Sequence, residues 1–434
     1  MENNTARMPL KSMNFNVKLA FLFSIFQSFG RGIWMGNVLS AYIFFFSGKS
    51  NTLLGWTSAA TGIALTVFVF PAGILADKFG RDKLLKVAGI IGIMGLGFIL
   101  FGDDLVYIFV ALAAWGIFQA LARPSLESIL ADSVESGKRS KIYSWLHLAR
   151  QVAMSIGPFI NVILFVIFGD DWELDILKKV IIVGIVITLV SVGIMFFFSD
   201  KKSLGTISES IEEETANIEH SNNNGFASRL SQSQAKKLIP ILLVGSNVII
   251  GFGAGMTIKF FTIFFLDEEL YALSPIWVQI IMGLTSIFTG LSSLVAQRFS
   301  LKRGRAVIIF IVQLMATLCL FGIAFYPPIY ILVPIFIARG SLMNAAQPLS
   351  RSILMDIVPK KHRGKWNALE TVAWGFFWNF SAVIGGYLVG NIPPYNYRLN
   401  FLVTASIYLF GIIPILLLIP LVGKEKLAKL QEVM

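Results

Sequence analysis

The chain has 434 residues, of which 56% are apolar and only 14% charged, and its mean hydropathy is +0.74. Soluble domains run near 45–50% apolar and about 25% charged, so this composition excludes a soluble protein and describes an integral membrane one. One cysteine and three histidines leave no disulfide framework and no Cys/His zinc cluster, so no metal and no cofactor is expected.

A helix of roughly 20 apolar residues crosses a bilayer. On that measure the sequence predicts twelve spans, at 17–46, 52–76, 84–102, 105–132, 142–168, 176–198, 238–266, 275–298, 306–325, 329–357, 366–390 and 400–422. Tracts of this length exclude outer-membrane strands, which are about ten residues long and alternate. Satisfying every backbone group inside lipid then leaves an all-α bundle. The first span is too long for a signal-peptide core and lacks a small-residue cleavage site, so it reads as a permanent helix.

The net charge of +11 is distributed by loop, which argues against nucleic acid as a partner. Lys and Arg occupy every second loop, among them Lys78, Arg81, Lys83 and Lys86, then Lys138, Arg139 and Lys141, then Lys360, Lys361, Arg363 and Lys365. The intervening loops are acidic, as at Asp103-Asp104 and Asp267–Glu269. Basic loops stay cytoplasmic, so both termini are expected in the cytosol, with the plasma membrane as the expected site and an organelle membrane as the alternative.

Residues 200–237 are rich in Ser, Asn, Glu and Lys and bury too little to fold, which predicts a cytosolic linker between a six-helix bundle at 1–199 and another at 238–434. The halves are related in sequence. Residues 122–141 match 346–365 at a constant offset of 224, pairing Pro124 with Pro348, Asp132 with Asp356, Arg139 with Arg363 and Lys141 with Lys365. Parallel repeats of this kind enclose a midplane cavity in carriers, and rocking exposes it to each side in turn.

Ionisable residues inside a span are rare and usually functional. Arg31 lies at mid-depth in the first span, with Gln27 and Trp34 a turn to either side; Arg123 and Glu127 are spaced to pair on one helix face. His147 and Arg150 fall in the fifth span, Lys259 in the seventh, Arg339 in the tenth, and Glu370, Trp374 and Asn379 in the eleventh. Deep cations outnumber deep anions, which predicts an anionic ligand held by the basic groups together with Gln119. Glu127 and Glu370 are the candidate proton-coupling carboxylates.

The loop Gly73-Ile-Leu-Ala-Asp77-Lys-Phe-Gly80-Arg81-Asp-Lys is similar to the G-x-L-A-D-R-x-G-R-K loop of the major facilitator superfamily, and the resemblance covers nearly the whole chain. It implies a cytoplasmic gate built from Gly73, Asp77, Gly80 and Arg81, in which Asp77 caps a helix N-terminus and Arg81 pairs with Asp132. In the second half Ser293 stands against Gly73 and Gln297 against Asp77, so that loop is degraded. Gly157-Pro158 resembles the fifth-helix pattern of antiporters, while Gly116-Ile-Phe-Gln119-Ala120 lacks the arginine of proton-coupled exporters. Basic residues in the first and seventh spans are similar to the organophosphate branch.

No nucleotide loop or nucleophile triad occurs, so an ATP-driven pump or an enzyme is not expected. The expectation is a monomeric secondary carrier of a small organic solute, an anion, bound between the two halves, with a proton or other ion as a candidate co-substrate. Two alternatives stand beside it: an exporter of lipophilic drug-like compounds, and a non-transporting receptor with a carrier fold.

Overall fold

The computed structural model describes residues 13–134, 139–204, 232–358 and 360–422. Among them the chain forms thirteen α-helices and no strand: α1 (Phe15–Trp34), α2 (Asn37–Phe46), α3 (Asn51–Phe79), α4 (Arg81–Phe101), α5 (Leu105–Asp132), α6 (Arg139–Phe168), α7 (Leu174–Met195), α8 (Gln232–Leu266), α9 (Pro275–Arg303), α10 (Arg305–Ile323), α11 (Ile329–Ile357), α12 (Lys360–Val389) and α13 (Tyr397–Val422). Ten of these are long and apolar enough to cross a bilayer. The twelve expected spans map onto the thirteen helices because the first is broken. Met35 turns extended at the end of α1, and Gly36 takes φ +89°, a conformation open to glycine, before α2 begins.

The internal repeat is visible in the helix register. The starts of α3 and α9, α4 and α10, and α5 and α11 (Asn51/Pro275, Arg81/Arg305, Leu105/Ile329) all keep the offset of 224 found in the sequence. The chain divides into two compact units. One comprises Met1–Tyr42, Ala60–Gly169 and Glu173–Glu212, and the other Ile43–Ala59, Asp170–Trp172 and Glu213–Met434.

Lipid tails are as apolar as leucine, so helices in a bilayer associate through close backbone packing at small residues rather than by hydrophobic exclusion. In the first unit α1 does this twice. Its Gly32 abuts Gly157 of α6, and its Gly30 abuts Gly184 and Thr188 of α7; a Cβ at Gly30 or Gly157 would meet these atoms at under 3.0 Å. In the second unit α8 repeats the pattern. Gly255 lies against the Trp378 carbonyl and Ser381 of α12, and Gly253 against Tyr408 of α13. An aromatic cluster of Phe261, Phe264, Phe336 and Phe401 fills the end of this unit, with neighbouring ring centroids 4.9–5.1 Å apart.

Candidate functional site

Polar groups gather along one face of α1 in the first unit. Ser24, Gln27 and Arg31 recur at i, i+3 and i+7, a single helix face. Arg150 of α6 donates from Nε to Ser24 Oγ at 3.0 Å. Arg31 is partly buried, and its Nε reaches only the Met35 sulfur at 3.4 Å, a weak acceptor. Among the described residues no carboxylate pairs with Arg31, and the charge acting on it is Arg123, of the same sign. Arg123 holds Glu127 one turn along α5, Nε to Oε1 at 3.4 Å, with the two side chains 58% and 50% exposed. So exposed and loose a pair contributes little to stability, and it leaves Glu127 associated with Arg123 rather than Arg31. Gln119 stands one turn before Arg123 and is half-buried, while His147 is exposed one turn before Arg150.

Trp34 was expected beside this face as a ligand contact, and the structure corrects that. It is fully buried, donates from Nε1 to Thr188 Oγ1 at 3.0 Å and packs edge-on against Trp115 at 5.4 Å. With its indole N–H satisfied and no surface exposed, it is a packing residue.

In the second unit Lys259 is partly buried on α8 and has no hydrogen-bond or ion-pair partner among the described residues. Arg339 of α11 is 5% exposed; its Nη2 donates to Tyr408 Oη at 3.0 Å, and the guanidinium lies over the Phe261 ring at 4.8 Å. Asn379 returns its amide to the Gly375 carbonyl of its own helix at 2.7 Å. Glu370 and Trp374 belong to α12, and their side chains lie outside the described residues.

The loop after α3 carries the residues expected of the gate. A Cβ on Gly73 would meet nothing within 4 Å, so close helix approach does not require glycine there. The Asp77 side chain lies outside the described residues. The N-terminus of α4 is capped by Asp200, from the 3₁₀ turn Asp200–Lys202, whose Oδ2 accepts from the Arg81 N–H at 2.9 Å and the Asp82 N–H at 3.3 Å. Gly80 takes φ +90° to start that helix, and the Arg81 side chain pairs with Asp132 of α5. The Asp132 carbonyl also accepts from the Leu204 N–H at 2.8 Å, and Asn16 bridges Ser133 Oγ and the Ser199 carbonyl. The root of the interhelical segment is therefore fastened to the ends of α1, α4 and α5. Replacing Asp200 by alanine removes a carboxylate from a helix N-terminus, with an expected loss of about 1 kcal/mol, read as a lower Tm of the purified protein; asparagine should retain most of it.

The second unit carries the same device, which the sequence reading missed. Gly304 takes φ +92°, and Arg305 pairs with Asp356 at 2.6 Å while donating to Ser352 Oγ at 2.8 Å. Gly304, Arg305 and Asp356 are Gly80, Arg81 and Asp132 displaced by 224, so the constant offset contained the signal.

The family model for the Major Facilitator Superfamily matches residues 20–343 and 243–433. The Escherichia coli (strain K12) inner membrane protein YqcE is 32% identical over 165 residues, 37% of this chain and 38% of that protein. A Na(+), Li(+), K(+)/H(+) antiporter of Planococcus maritimus is 25% identical over 192 residues, 42% of each chain. Both matches thus span well under half of the relative's length. A crystal structure of a D-xylose–proton symporter superposes with a TM-score of 0.71 at 16% identity, covering 95% of this chain and 99% of that one, a likeness of fold.

Proposed function

Because the chain belongs to the major facilitator superfamily, as the family match along nearly all of it shows, we propose that this multi-pass membrane protein is a secondary carrier of a small organic anion, a carboxylate or phosphate ester, working by alternating access. The observation that carries the anion is Arg31. It is a partly buried cation on α1, the helix of the first expected span, with a thioether as its hydrogen-bond acceptor and another arginine as the charge that acts on it. An uncompensated arginine at membrane depth costs about 2.5–3.5 kcal/mol on insertion scales, and a carboxylate or phosphate docked on it recovers that through charge-assisted bonds. Arg123 and Arg150 add positive potential to the same face, and Gln27 and Gln119 offer amide groups for orientation.

In this proposal the bundles at 1–199 and 238–434 rock about a shared solute, joined by the 200–237 linker, with both termini in the cytosol of a cell bounded by the plasma membrane. The carrier acts as a monomer. Arg81–Asp132 and Arg305–Asp356 are matched latches, one in each half. Glu127 and Glu370 remain the proposed coupling carboxylates if protons supply the energy. The monovalent-cation exchange named for the Planococcus relative is disfavoured on charge, since a face carrying Arg31, Arg123 and Arg150 repels a sodium ion.

A thermal-shift screen of carboxylates, phosphate esters, neutral sugars and nucleosides, run on the wild-type protein and Arg31→Gln, tests the reading. A ligand at 100 times its Kd stabilises the folded state by about 2.7 kcal/mol, a shift of several degrees. Anions should raise the Tm of wild type and not of Arg31→Gln. A panel in which neutral or lipophilic compounds stabilise both proteins equally would displace the anion reading in favour of a drug-type exporter.

A further inference from the structure

The second unit contains a small, partly open cavity of about 50 Å³ between α8, α10, α11, α12 and α13. Its polar lining does not satisfy itself. Arg339 Nε, Ser350 Oγ and Gln313 Oε1 are buried without a hydrogen-bond partner among the described residues. Tyr408 Oη accepts from Arg339 Nη2, which leaves its own O–H available, and Tyr408 is fully buried. No residue lining the cavity is acidic, and no carboxylate pairs with Arg339 among the described residues. A guanidinium 5% exposed and stacked on Phe261, with its Nε unpaired, thus lines a chamber in which the Ser350 hydroxyl is unpaired and Gln313 presents an unpaired acceptor, Oε1.

The internal repeat sets this lining apart from its counterpart. At the offset of 224 shared by α4 and α10 and by α5 and α11, Arg339, Gln313 and Ser350 correspond to Trp115, Gly89 and Leu126 in the first unit. Gly89 and Leu126 carry no polar side-chain group, and the Trp115 indole packs on Trp34 and Phe118 with its own Nε1 buried and unpartnered. The first half thus has no cation at this position, while the second has one with polar neighbours. A buried guanidinium costs far more unpaired than an indole N–H, so the cation is the group that calls for an occupant.

The geometry points to a small-anion site in the second unit: a halide, or a carboxylate of about formate size, held by Arg339 Nε, Ser350 Oγ and Tyr408 Oη, with the Gln313 amide turned to donate. A cavity of this volume has room for a few waters or one such ion and excludes a whole metabolite. The ion therefore arrives either as a free inorganic anion or as the carboxylate end of a larger molecule entering from the cavity mouth. Arg31 belongs to the other unit.

Full-length purified protein is titrated with sodium chloride, sodium formate and sodium benzoate against sodium gluconate at constant ionic strength, with Tm as the readout. Chloride or formate should raise Tm saturably. Ser350→Ala and Tyr408→Phe, which preserve shape, should each weaken the apparent affinity about tenfold, since a bond to a charged group is worth about 1.5–3 kcal/mol. Arg339→Gln should abolish the response; if that variant fails to fold, the two conservative variants decide. Arg31→Gln should keep the response even if it loses every effect of organic substrates, which separates this site from the carrier reading. A response to chloride identifies a free inorganic anion, and one to formate and benzoate but not chloride identifies a carboxylate headgroup. Equal Tm in all four salts, or identical curves in wild type, Ser350→Ala and Tyr408→Phe, would overturn the site and leave water as its occupant.

Discussion

Gly255→Ala should yield little folded protein. The added Cβ would fall under 3.0 Å from the Trp378 carbonyl oxygen and from Ser381 Oγ. The first obstacle is backbone of a neighbouring helix, so no rotamer change relieves it; α8 and α12 must separate. Overpacking a tight core costs about 1–3 kcal/mol and occasionally more, and here the separation also breaks contacts to either side. Gly385 of α12 rests on the Met256 carbonyl one residue further along α8, and Asn400 of α13 donates to that same carbonyl at 2.9 Å. Yield of monodisperse protein and its Tm are the measurements. Gly73→Ala is the internal control: with open space where its Cβ would go, it should change Tm by less than about 0.5 kcal/mol equivalent.

The second large effect is on transport. Arg31→Gln should lower flux of the anionic substrate in proteoliposomes about 100-fold while raising the Tm of the unliganded protein. The two signs are the point. A structural arginine in an ion pair destabilises the fold when removed, because its partner is left charged and buried. Arg31 has no such partner among the described residues, so neutralising it relieves repulsion from Arg123 and the cost of a partly buried, uncompensated cation. What stability gains, binding loses. A variant with lower Tm and normal flux would reverse the assignment of Arg31 from ligand contact to scaffold.

Much of the fold was legible because membrane physics writes it in long strokes. Apolar tracts gave the helices, and the matched segments at 122–141 and 346–365 gave the duplication, now seen as helix starts in one register. The break at Gly36 was hidden, since the whole of 17–46 reads as one long span and a single glycine does not end a helix by itself. The cap on α4 was not foreseen because reach across sequence is invisible; Asp200 stands 119 residues from Arg81 and comes back through the end of α7. Arg305 and Asp356 were missed for a different reason. Setting Ser293 against Gly73 and Gln297 against Asp77 used an offset of 220 instead of the repeat's 224, which places Gly304-Arg305 against Gly80-Arg81. Arg339 was picked out by depth alone. Its setting was not, because Gln313, Ser350 and Tyr408 belong to three helices, α10, α11 and α13, and become neighbours only through packing.

The account rests on Arg31 facing an aqueous path that anions share. The direct measurement is thiol labelling of Arg31→Cys in a Cys319→Ser background, in proteoliposomes, with charged membrane-impermeant reagents and a lipophilic maleimide. The prediction is reaction with the charged reagents from the aqueous phase and protection by the anion that stabilises the wild-type protein best. Modification by the lipophilic reagent alone, unaffected by any anion, would place position 31 against acyl chains and contradict the carrier site proposed for it.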